Sequence, residues 1–70
     1  MILVIGTENC PRCMMVKNIL TNKNIEFDYK MFSFLSSEEQ EKYLNMAEKT
    51  GQMSFPLIIR DGKIIEIMEV

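Results

Sequence analysis

A chain of 70 residues buries only about 60% of the surface its unfolded state exposes, so it is read as one domain over residues 1–70 with little core to waste. Its 47% apolar against 26% charged residues exclude a disordered segment. A net charge of −2 with no long run of either sign excludes the basic field that nucleic acid or anionic lipid requires.

The opening "MILVIG" has no basic flank and is too short for a signal-peptide core, so it reads as a buried strand. No apolar run approaches the roughly 20 residues of a bilayer span, and the expected location is therefore the cytoplasm, with no membrane partner. Thr7, Glu8 and Asn9 are loop-like. A helix is predicted from Cys10 or Pro11 to Asn22–Asn24, because proline suits a first helical position and Val16, Ile19 and Leu20 recur on one face.

"IEFDYKMF" alternates Ile25, Phe27, Tyr29 and Met31 with more polar residues, the period of a half-buried strand. "SSEEQEKYLNMAEKTG" carries every helix signal: a capping box of Ser36 and Glu39, an acidic first turn, a basic last turn and Gly51 beyond it. Tyr43, Leu44 and Ala47 are its expected buried stripe. "PLIIR" and "KIIEIM" then flank Asp61-Gly62, a strong hairpin signal because both residues tolerate positive φ. The order βαβαββ predicts an α/β fold with a four-stranded mixed sheet: a parallel first crossover and an antiparallel closing hairpin, with the helices packed on the sheet.

Both cysteines of the chain fall in "CPRC", at the start of the first helix. Two thiols and no histidine do not close a four-ligand zinc site. They would suit a soft ion such as Cu(I), which keeps a metal carrier as the alternative function, although small copper carriers place two strands between their helices where this chain has one. As a staple, a ring of about four residues contributes only about 2 kcal/mol. Redox exchange accounts for each residue. At the helix N-cap, Cys10 faces unpaired N–H groups and the positive end of the helix dipole, which favour its thiolate. Arg12 adds a full charge, Pro11 stiffens the turn, and Cys13 lies one turn on, where it can attack a mixed disulfide formed at Cys10. The seven methionines are read as core filler, with Met14 and Met15 packed at the base of the helix.

Cys-Pro-x-Cys after the first strand and "GQMSFPLIIRDGKII" after the second helix together make the chain resemble the glutaredoxins and small glutaredoxin-like redoxins of the thioredoxin fold, over nearly its whole length. The resemblance implies a minimal thioredoxin fold and a thiol–disulfide oxidoreductase with no bound cofactor. Its partners would be disulfide-containing proteins and a thiol or flavin-linked reductase. It also implies a cis bond before Pro56, which would face the disulfide, and a Phe55 backbone that pairs with substrate like an added strand. Ser54 takes the place of the usual threonine, and Gln52 matches a polar position at the glutathione site.

Two departures stand out. Glutathione-using relatives carry a Gly-Gly turn and then a third helix, where this chain has Glu66 and Ile67 and then ends, and Thr7 replaces a frequent basic residue. Glutathione is therefore a doubtful reductant. Without the usual C-terminal helix, Ile65 and Ile67 on the last strand are expected to lie partly bare, a surface suited to weak self-association or a docking partner.

Overall fold

The computed structural model describes residues 2–51 and 54–70. Strand β1 (Ile2–Gly6) leads to helix α1 (Pro11–Asn22), strand β2 (Phe27–Met31), a 3₁₀ turn at Phe32–Phe34 and helix α2 (Ser37–Thr50). Strands β3 (Leu57–Arg60) and β4 (Lys63–Ile65) and a second 3₁₀ turn (Ile67–Glu69) follow. The sheet order is β2-β1-β3-β4. β1 runs parallel to β2 with Val4 opposite Tyr29, and antiparallel to β3 with Val4 opposite Ile58. The predicted α/β architecture and element order are those observed.

Each helix covers one face of the sheet. Val16 and Leu20 of α1 pack with Ile2, Val4 and Ile58, and Tyr43 and Ala47 of α2 pack with Ile5, Leu57 and Ile59 on the other face. Alternation along β1 and β3 sends successive side chains to opposite faces, so the unbroken apolar runs Ile2 to Ile5 and Leu57 to Ile59 serve both cores. Removing a Leu or Ile side chain from water is worth about 1.5–3 kcal/mol, and Ile5, Leu20 and Leu57 are almost wholly buried. This rigid central pair, β1 and β3, carries the loop into α1 at its end.

Local signals explain the boundaries. Ser36 Oγ accepts from the Glu39 N–H at 3.2 Å, and the Ser36 N–H donates back to the Glu39 carboxylate, so the capping box forms. Gly51 ends α2 at φ 78°, a left-handed cap that glycine reaches without the cost a Cβ imposes. At the hairpin, Asp61 and Gly62 both have positive φ.

Four expectations are corrected. Leu44 is exposed and Met46 packs in its place, because a stripe through Tyr43 and Ala47 continues at i+3 and i+4, not at the adjacent position. Met14 and Met15 are also exposed, since α1 turns Cys13, Val16 and Leu20 inward. Ile25 lies outside β2 and packs against the α1-side core. The last strand stops at Ile65, the partner of Ile58. Beyond it β3 offers only Leu57, its first residue, and Pro56 has no N–H for a ladder. Glu66 instead caps the second 3₁₀ turn through the Glu69 carboxylate, which accepts the Glu66 N–H at 2.8 Å. Ile65, Ile67 and Val70 pack against the α1-side core yet stay only half-buried, so Ile65 and Ile67 are partly bare as expected, and Met68 beside them is largely exposed.

Candidate active site

The site forms where β1 ends. Gly6, Thr7, Glu8 and Asn9 carry the chain over the sheet edge, with Asn9 at φ 53°, a left-handed conformation that asparagine adopts more readily than most residues. Cys10 follows at the N-cap of α1 in extended conformation, and Pro11 takes the first helical position. The Cys13 N–H donates to Cys10 Sγ at 3.2 Å, and Cys10 and Cys13 are joined as a disulfide with Cα atoms 5.2 Å apart. The two sulfurs differ in access: Cys10 is half-buried and Cys13 only 1% exposed. An approaching thiolate therefore reaches Cys10 first.

Arg12 is exposed on the first turn of α1 and shares a cleft of about 310 Å³ with Pro56, Met15, Ile65 and Glu66. The bond between Phe55 and Pro56 is cis. Phe55 is half-buried with its ring edge-on to Phe32 at 5.2 Å. Phe32 is itself tied to α2 by its carbonyl, which accepts from Gln40 Nε2 at 3.0 Å. Ser54 is exposed, and Gln52 lies outside the described residues. Arg12, which stands between the two cysteines in sequence, and Pro56 thus line one cleft, while the Phe55 ring turns toward the α2 side of the sheet. Among the described residues no three metal-ligating side chains converge.

Three residues near the disulfide escape a reading by motif: Gly6, Lys17 and Tyr29. A Cβ on Gly6 would collide with the Tyr29 hydroxyl and come 3.0 Å from Cys13 Sγ, and Lys17 Nζ lies 4.3 Å from the centre of the Tyr29 ring. The one sequence signal is a glycine closing an otherwise bulky strand, which marks a close approach.

The family model for glutaredoxins matches residues 2–65. The chain belongs to the glutaredoxin family. Membership, together with a helix-capping disulfide of CxxC spacing, makes it a thiol–disulfide oxidoreductase. Among curated proteins no sequence matches it. Glutaredoxin folds of known structure superpose closely. That from Methanosarcina mazei is 28% identical, with a TM-score of 0.73 over 93% of this chain and 65% of its own. Wheat glutaredoxin is also 28% identical, with a TM-score of 0.71 over 91% of this chain and 58% of its own. This glutaredoxin-family chain thus spans about three fifths to two thirds of those two proteins. The thioredoxin-like protein BC3987, 21% identical with a TM-score of 0.74, matches over 99% of this chain and 93% of its own, which shows the same fold at nearly the same length.

Proposed function

We propose that the chain is a dithiol redoxin of the cytoplasm that reduces or forms disulfides in proteins and low-molecular-weight thiols, with Cys10 as the attacking sulfur and Cys13 as the resolving one. The observation that carries this reading is the asymmetry of the pair: a half-buried Cys10 at a helix N-cap bonded to a Cys13 sealed from solvent. Free N–H groups of the first turn favour the Cys10 thiolate, and surroundings of this kind lower a cysteine pKa from about 8.5 into the range of about 3.5–7.5. In exchange, the Cys10 thiolate attacks a substrate disulfide, one substrate sulfur leaves with the electron pair, and Cys13 then attacks Cys10 to expel the other.

Pro11 and Arg12 would form one wall of the substrate groove, with Ser54, Phe55 and Pro56 opposite, the Phe55 backbone pairing with extended substrate. Gln52 is assigned to the same groove on family resemblance alone. A thiol or flavin-linked reductase is the proposed electron donor. The reason is local: Glu66 and Ile67 stand where glutathione-using relatives carry Gly-Gly, and Glu66 is committed to capping a 3₁₀ turn.

The test is Cys13→Ser. With the resolving thiol gone, a mixed disulfide should accumulate at Cys10 with disulfide substrates, seen as a mass adduct that dithiothreitol removes. No adduct with any substrate would defeat the proposal, as would a stoichiometric copper content after anaerobic, chelator-free purification, which would favour soft-metal carriage by the same thiolates. For the donor, a turnover rate that saturates at low glutathione concentration would overturn the preference for another reductase.

A further inference from the structure

Cys13 has a charge problem that the helix does not solve. When an incoming thiolate opens the disulfide at Cys10, the new S–S bond forms there and the electron pair of the old bond leaves on Cys13 Sγ. In the opposite direction Cys13 must be a thiolate to attack Cys10, its thiol proton having gone to solvent. Either way a full negative charge stands once per cycle on a residue only 1% exposed, and a buried charge without a hydrogen-bond partner is costly. The first turn of α1 helps Cys10 instead: even the N–H of Cys13 itself points at Cys10 Sγ.

The group placed to help Cys13 comes from β2. Gly6 has no side chain above the end of β1, and the Tyr29 hydroxyl fills the place a Cβ would take, with Cys13 Sγ 3.0 Å from that same point, so that a single added Cβ would press on both. Their placement follows from register: Val4 pairs with Tyr29, which puts the ring on the α1 side of the sheet, leaning toward the glycine. Lys17, one turn beyond Cys13 on α1, holds its ammonium 4.3 Å from the ring centre, a cation–π contact that anchors the ring and adds positive charge nearby.

We propose that Tyr29 is the hydrogen-bond donor that stabilises the Cys13 thiolate, with Lys17 holding its ring in place. Tyr29 keeps its proton throughout; it donates without transferring. No other titratable side chain competes for this position among the described residues. β1 carries none, β3 presents Ile58 on this face with an exposed Arg60 at its far end beside Ile2, Asp28 and Lys30 alternate to the opposite face of β2 and are exposed, and Glu8, Arg12 and Glu66 are exposed on the loop, the first turn and the tail after β4.

The inference rests on the exchange reading above, and the experiment separates the two. A mixed disulfide is formed at Cys10 with the aromatic disulfide dithiobisnitrobenzoate, and release of the second coloured thiolate reports attack by Cys13. Tyr29→Phe keeps the ring and its contact with Lys17 and removes only the donor. A hydrogen bond to a charged group lost in this way should slow the resolving step about tenfold at neutral pH and move its pH midpoint up by about one unit. The rates should converge in alkaline solution, where the thiolate forms regardless. Lys17→Gln should shift the midpoint in the same direction by less, and alkylation of Cys10 in a Cys13→Ser background should be the same with Tyr29 or Phe. A merely structural role for Tyr29 would lower the melting temperature and leave the pH midpoint where it was. A Tyr29→Phe profile that superposes on the parent overturns the inference while leaving exchange intact; a parent protein whose mixed disulfide never resolves overturns the exchange reading itself.

Discussion

The two helices of this molecule are built for opposite ends. α2 has a reciprocal capping box, two glutamates in its first turn, a lysine in its last and a left-handed glycine cap. α1 has a cysteine sulfur for its cap, no acid in its first turn and no base in its last. An acid in the first turn is ordinarily worth about 0.3–1 kcal/mol, and an oxygen cap about 0.5–2 kcal/mol over alanine. α1 leaves out the first and replaces the second with a poorer acceptor. The difference is intelligible if the positive end of α1 is kept unneutralised for a thiolate: a carboxylate there would stabilise the helix and oppose the ionised Cys10. Stability and reactivity draw on the same free N–H groups, and each helix spends them on one purpose.

The largest test of this contrast is Cys10→Ser. Serine is a favoured N-cap, so compared with the reduced parent the variant should hold its stability or gain up to about 1 kcal/mol, while disulfide exchange falls to background. Thermal melts of both proteins in excess dithiol, with a disulfide-reductase assay alongside, would show it. A clearly less stable variant would mean that the cysteine cap is no sacrifice, and the comparison between the helices would lose its point.

The converse change is Ser36→Ala at the cap of α2. It should cost about 1 kcal/mol, lowering the melting temperature by about 4–8 °C for a domain of this size, and leave the rate of exchange at Cys10 untouched. Slower exchange at a temperature where the variant is fully folded would show that α2 reaches the site after all. The route would be Gln40, whose amide also donates to the Leu35 and Phe32 carbonyls beneath Phe55.

What could be read from the sequence follows the same division. α2 was legible almost to the residue because its signals are local: cap, first turn and terminal glycine each act within four positions. The disulfide at the head of α1 was legible for the same reason, CPRC being a complete local device. Longer-range facts were not. The last strand looked continuous through Ile67, but its end is set by the β3 residues across the ladder and by the capture of the Glu66 N–H by Glu69. Alternation put Tyr29 on a face and could not say that this face ends over Gly6 and beside Cys13; that depends on the β1–β2 register. Leu44 and Met46 exchanged roles because a helical stripe drifts with its 3.6-residue turn, and apolar character alone does not choose between neighbours.

The smallest effect, and the sharpest probe of the first turn of α1, is Arg12→Glu. Arg12 is exposed one residue before Cys13, where its charge adds to that of the helix end. Reversing it should raise the Cys10 pKa, since the thiolate loses a favourable neighbour and gains a repulsive one. The disulfide carries no charge and is nearly indifferent, so the reduced form alone is destabilised and the potential becomes more negative: the variant is the weaker oxidant. One pKa unit corresponds to about 1.4 kcal/mol, or about 30 mV for a two-electron couple. Solvent and salt screen an exposed charge, so a shift of about half a unit and about 15 mV is expected at low ionic strength, shrinking further as salt is added. Thiolate absorbance against pH and redox equilibrium against a reference thiol couple give the two quantities independently, and they should move together in this proportion above the Cys10 pKa. A salt-independent shift would mean that the substitution had altered the first turn rather than its field, and no shift at all would leave the helix N-terminus as the source of Cys10 activation.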